Sequence, residues 1–133
     1  MGYKYSVWLV PNSHRYIKEH YRMEHTPHVT IKTLLSVREA FDLAKTLKRH
    51  YYINFVKDIH DLDKIKYKKN KKELDACGFY CNIKNLELGH TPHMTTHYHV
   101  HGMSLYMPPP TNCMGRVCIV NTKSNNPSRW YML

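Results

Sequence analysis

A chain of 133 residues has room for one hydrophobic core and little more, so a single domain over 1–133 is expected. No run of eighteen apolar residues and no charged-then-apolar leader occurs, which argues against a membrane span or a secretory signal; the expected address is cytoplasmic, with no membrane and no obligate protein partner. Twenty Lys and Arg against ten Asp and Glu leave a formal charge of +10, and no acidic residue follows Glu87, so an anionic partner is expected, although much of the excess sits in 64–72, where a solvated connection also explains it.

Residues 3–10 are rich in aromatic and β-branched side chains and stop at Pro11-Asn12, which predicts a first strand and its turn. Asn12 or Ser13 can cap a short helix through about Arg22. Residues 28–33 alternate polar and apolar, the pattern of a half-buried strand with Val29 and Ile31 toward the core. Ser36-Val37-Arg38-Glu39 is a capping box, and Val37, Ala40, Phe41, Ala44 and Leu47 make one apolar stripe of a helix running to about His50. Residues 51–56 and 77–83 read as strands separated by an exposed lysine-rich connection, and another strand opens at the second His-Thr-Pro-His. Met107-Pro108-Pro109-Pro110 must be loop or extended chain, because proline donates no backbone hydrogen bond. Residues 116–120 and 129–133 read as a closing hairpin around turn-forming 123–127. Strand, helix, strand, helix and then several strands predict an α+β sheet domain.

Four cysteines form two loose pairs, Cys77 with Cys81 and Cys113 with Cys118. Neither pair has the two-residue spacing of a zinc knuckle, so small core residues are expected in preference to a structural zinc.

Six letters are nearly repeated: His25-Thr26-Pro27-His28-Val29-Thr30 and His90-Thr91-Pro92-His93-Met94-Thr95. In both copies proline biases the threonine before it toward extended structure and launches a strand, which points to an internal duplication. On a strand, His28 and Thr30 share one side, as do His93 and Thr95, with Val29 and Met94 on the other. If the strands are neighbours, two imidazoles and two hydroxyls face one cleft. A neutral imidazole can take a proton from an attacking water or ribose hydroxyl, and an imidazolium can give one to the leaving oxygen. The threonine hydroxyls can donate to non-bridging phosphate oxygens without a metal ion or other cofactor. His25 and His90 lie in the approach to each strand and read as structural, since the chemistry needs one pair.

Two His-x-Thr motifs on paired strands resemble the two-histidine (2H) phosphoesterases. The strand YSVWLVP with the following PHVTI is similar to the plant-type cyclic nucleotide phosphodiesterases, HTPHMTTHY is similar to their second motif, and the tail with Trp130 after a turn is similar too. The resemblance covers both ends and both motifs but not the middle. It implies a bilobal, LigT-like fold of two antiparallel sheets with pseudo-twofold symmetry around a central cleft. It also implies catalytic His28 and His93, phosphate-binding Thr30 and Thr95, substrate contacts from Trp8, Tyr98 and Trp130, and no metal. The short gap between Ile83 and His93 leaves no room for the family's usual helix, and the segment after Tyr98 lacks a helical pattern, so the second lobe is expected to be trimmed, as in compact viral and phage members.

The function expected on this basis is metal-independent hydrolysis of a nucleotide phosphodiester, foremost a cyclic di- or oligonucleotide signal. A 2',3'-cyclic nucleotide, an RNA end or a 2',5'-oligoadenylate is the alternative substrate. The rival class is a basic RNA-binding module, or a zinc site built from His97, His99 and His101, which continue the alternation from His93. No Asp or Glu in the last third of the chain is present to orient such zinc ligands, which favours a solvated or phosphate-facing strand.

Overall fold

The computed structural model describes residues 4–59, 66–69, 72–98, 109–124, 126 and 129–133, with backbone alone at 57–59, 66–69, 72–77 and 98. In chain order the elements are β1 (Tyr5–Pro11), α1 (His14–His20), β2 (Val29–Leu35), α2 (Val37–Thr46), β3 (His50–Ile59), β4 (Lys66–Lys69), β5 (Lys72–Ile83), β6 (His93–Tyr98), β7 (Cys113–Asn121) and β8 (Tyr131–Met132). This is the expected α+β class, dominated by antiparallel pairing. Hydrogen bonding runs β1-β2-β6-β5-β3-β7, and β7 returns to pair with β1, so six strands close on themselves. Closure satisfies strand edges that would otherwise face solvent. β8 adds to β7 and β4 to β5.

The buried residues form two clusters, one on each face of β1. Val7 and Leu9 join Ile17 and Tyr21 of the α1 region, Ala40 of α2, and Val29, Ile53, Phe79 and Met94 in the larger core. Trp8 and Val10, on the opposite face, join Cys118, Val120 and the half-buried Trp130 and Met132. Because β1 is covered on both faces, its near-continuous apolar sequence is what burial demands.

Three expectations are corrected. The capping box forms, with the Ser36 side chain accepting from the Glu39 amide, but α2 ends at Thr46 and not at His50. Leu47 is already extended, and His50 is taken into β3, where it pairs with Arg116. The helix is also rotated from the expected stripe: Val37 and Phe41 are exposed, while Ala40 is buried and Leu43 and Leu47 rest on the core. A small residue at the point of closest approach lets the helix lie nearer the sheet than Phe41 would allow. Finally, the lysine run is not connection throughout, since its Lys66–Lys69 portion pairs with β5 as β4. The other expected elements occur where the residues are described, with Met107, Pro108, Asn125 and Pro127 of the expected loop and turn lying outside them, and Ser13 caps α1 by position, without a side-chain hydrogen bond.

Two local backbone features set the registers that matter for the site. Leu34 has φ 58 beside a register shift between β1 and β2, which lets that strand bend away after Lys32. At Gly78 an added Cβ would lie 2.0 Å from the Met94 carbonyl oxygen, so the absence of a side chain is what lets β5 and β6 approach.

Candidate active site

The two repeated motifs meet where β2 pairs with β6, Val29 opposite Met94. Both of these side chains are fully buried in the larger core. Antiparallel pairing from that point sets His28 across from Thr95 and Thr30 across from His93, and alternation turns all four away from Val29 and Met94 onto one face. The sequence repeat thus becomes a diagonal arrangement, with each imidazole facing the other motif's hydroxyl residue.

Backbone carbonyls set the tautomers. His28 Nδ1 donates to the Thr26 carbonyl at 2.7 Å, and His93 Nδ1 donates to the Thr91 carbonyl at 2.9 Å. With Nδ1 carrying the proton, each neutral ring keeps the Nε2 lone pair, which makes no hydrogen bond among the described residues. Neither the Thr30 nor the Thr95 hydroxyl makes one either, although Thr95 is buried. Two acceptors able to receive a proton and two donors without acceptors therefore share one face.

His25 and His90 hold the opposite tautomer and do a different job. His25 Nε2 donates to the Thr95 carbonyl at 3.0 Å, and His90 Nε2 donates to the Thr30 carbonyl at 3.0 Å. Each motif's first histidine thus clamps the backbone of the other motif. Sequence reading places them on the approach to each strand but misses this reciprocity; the signal for it was their identity at matching positions of the repeat.

Burial dominates the electrostatics. His28 is 4% exposed, and burial pushes its imidazole down to about 3, with His25 and His93 nearby adding to that and the Thr26 carbonyl opposing it. Burial likewise pushes His25 down to about 4, against the pull of the Thr95 carbonyl and with help from His97 and Lys18. The half-buried His93 is lowered by burial, opposed by the Thr91 carbonyl, with His90 adding to the effect. Burial therefore favours the neutral form of His25, His28 and His93.

Of the aromatic residues expected to touch substrate, Trp8 is only 2% exposed and stacks flat on His28, ring centroids 3.4 Å apart and planes 6° apart. Trp130 is half-buried, meets Trp8 edge-on at 5.7 Å and stands 6.2 Å from His28, its indole N–H donating to the Ser124 carbonyl. The Tyr98 side chain lies outside the described residues, as do His99 and His101. The alternation expected to carry His97 onto the His93 face is interrupted by a register shift that leaves Thr96 between Thr95, opposite Gly78, and His97, opposite Cys77. His97 Nδ1 lies 3.0 Å from the Thr96 hydroxyl.

Cys81 is buried in the larger core and Cys118 in the smaller, and with Cys113 they are free thiols. Among the described residues no group of three His, Cys, Asp or Glu is placed to hold a metal ion, and no helix is long and apolar enough to cross a membrane. In comparison with known proteins, no family model, no curated protein and no solved structure matches this chain.

Proposed function

We propose that this chain is a metal-independent phosphodiesterase of the two-histidine type, acting on a cyclic di- or oligonucleotide. The observation that carries the reading is the pair of Nδ1-protonated histidines, His28 and His93, each set across a β2–β6 register from a threonine whose hydroxyl has no protein acceptor among the described residues. The reciprocal bonds of His25 and His90 support an internal duplication in which β2 and β6 are equivalent strands. The absence of a helix in 84–92 supports a trimmed second lobe.

In the proposed reaction a phosphodiester enters with its non-bridging oxygens at the Thr30 and Thr95 hydroxyls. Its negative charge raises the affinity of both imidazoles for protons, so one of them is charged in the complex. His93 is the better candidate for general acid, because the more exposed ring carries the smaller cost of becoming charged. His28, buried against Trp8, keeps its lone pair and takes the proton of the attacking water or ribose hydroxyl. As the new P–O bond forms, the P–O bond to the leaving oxygen breaks and that oxygen receives the His93 proton. Trp8 serves as the wall that fixes the His28 ring, while Trp130, with its partial exposure, is the aromatic residue placed to meet a base.

The test is turnover of a panel of cyclic nucleotides in excess chelator by the wild-type chain, His28→Gln and His93→Gln. Rates that survive chelator and fall by about 10²–10⁴ in each variant support the mechanism. Loss to chelator alone would point to a metal. No turnover, with RNA binding that weakens steeply in salt, would favour a basic binding module.

A further inference from the structure

Further along the sheet face that carries His28, a second group of basic side chains surrounds a cavity of about 260 Å³. His14, His50 and Arg116 line it together with Asn12, Val10 and Met132. The registers place it on the same face as the site. Arg116 pairs with Val10 on β1 and with His50 on β3, and antiparallel partners point to the same side. The neighbouring Gly115 faces Leu9 and Ile53 of the larger core, so Arg116 faces away from that core. Val10 shares its side of β1 with Trp8, the residue stacked on His28. β7, which carries Arg116, lies two strands from β2 and three from β6, roughly 10–14 Å across the sheet at about 4.8 Å per strand.

The chemistry of the cavity is one-sided. No carboxylate lines it, and the side chains of His14, His50 and Arg116 make no hydrogen bond or ion pair among the described residues. Burial holds the His14 imidazole below its ordinary value, and Arg15, Arg116 and Lys18 add to the effect. The Arg116 guanidinium, without a counter-charge, leaves the potential there positive, and an anion relieves it while the imidazoles offer hydrogen bonds. Phosphate suits the guanidinium's planar fork of donors. The volume falls below the roughly 300–1,000 Å³ of pockets that enclose a whole drug-sized ligand, so a phosphate with part of its sugar fits and a complete nucleotide does not.

We infer that this cavity is a second anion subsite, holding a phosphate of the substrate other than the one cleaved and thereby selecting substrates with at least two phosphodiester groups. The identity of the ligand rests on the phosphodiesterase reading above; the placement of the basic groups does not.

The experiment compares the wild-type chain with Arg116→Gln and His50→Gln on a cyclic dinucleotide and on a 2',3'-cyclic mononucleotide. In both variants the ratio of kcat/KM for the dinucleotide to that for the mononucleotide falls by about tenfold, the worth of one charge-assisted hydrogen bond, chiefly through KM. An unchanged ratio overturns the subsite. If the wild-type chain cleaves neither substrate, the enzyme reading fails by itself, and calorimetric titration with inorganic pyrophosphate decides the subsite. Binding weakened by about tenfold in both variants supports it, and equal affinity overturns it. Should Arg116→Gln melt well below the wild-type chain, His50→Gln, an exposed side chain at the start of β3, carries the comparison alone.

Discussion

His25 donates from Nε2 to the carbonyl oxygen of Thr95, seventy residues along the chain, at 3.0 Å. The corresponding residue of the second motif, His90, makes the same bond to Thr30. β2 and β6 share the register pair Val29 with Met94, so these two bonds brace a short junction on either side. The spacing of His28, Thr30, His93 and Thr95 depends on that brace.

Removing the brace should cost unequally at its two ends. His25 is 3% exposed, so His25→Ala removes a buried hydrogen bond to the Thr95 carbonyl and is expected to cost about 1–3 kcal/mol. The His90 bond is exposed, and water can replace it, so His90→Ala should cost under about 1 kcal/mol. Urea midpoints measure both. A His90→Ala cost equal to or larger than that of His25→Ala contradicts the account.

Acid should unfold the protein through the same histidines. His28 and His25 are held at about 3 and about 4 in the fold, below the ordinary 6.5, so the unfolded chain binds protons that the folded chain refuses. Their contribution is complete above about pH 6.5 and is lost as pH falls toward 4 and then 3, at about 2 kcal/mol for each by pH 5. Denaturant unfolding at pH 7.5 and pH 5 should show this drop, and His25→Gln should reduce it. Equal stability at the two pH values would show that these rings are not buried neutral.

Gly78 should tolerate no side chain. Its Cβ would fall 2.0 Å from the Met94 carbonyl oxygen, so Gly78→Ala must push β6 off β5 and with it the strand that carries His93 and Thr95. A loss of about 3 kcal/mol or more is expected. Gly89→Ala, where nothing lies within 4 Å, should stay within about 0.5 kcal/mol. Thermal melts of the pair test the claim, and similar losses in both would refute it.

The pH dependence of the proposed reaction should differ between its two kinetic constants. kcat/KM reports the free enzyme, in which both His28 and His93 titrate below their ordinary value, so its bell-shaped profile should peak on the acid side of 6.5. kcat reports the complex, in which the substrate's negative charge favours the imidazolium, so its optimum should lie at higher pH. A rate that climbs steadily from pH 5 to 9 is incompatible with one neutral and one charged imidazole.

Most strands were legible because period-2 alternation and β-branched runs report burial directly, as at Val29 and Ile31. The capping box at Ser36 and Glu39 was legible for a similar reason, since its two hydrogen bonds close within four residues. The rotation of α2 was not. Val37, Phe41 and Ala44 are as apolar as the Ala40, Leu43 and Leu47 side that meets the sheet, and only the sheet's surface chooses between them. The early end of α2 was decided by a partner far along the chain, on Cys113–Asn121, whereas Lys66–Lys69 pairs with the nearby Lys72–Asp75, a local contact that its run of charges hid.

By itself the sequence determined that His28 and Thr30 share one strand face and that His93 and Thr95 share another, because alternation is a property of any extended chain. It also determined that the two motifs have like surroundings, through the proline ahead of each. Only the tertiary structure decided that Val29 lies against Met94, that His25 and His90 brace each other's motif, that Trp8 is spent as a wall behind His28, and that Arg116, His50 and His14 gather around one cavity. Each of these is a contact between residues distant in sequence. Local pattern says which side of a strand is buried, but the register of the closed sheet says what that side meets.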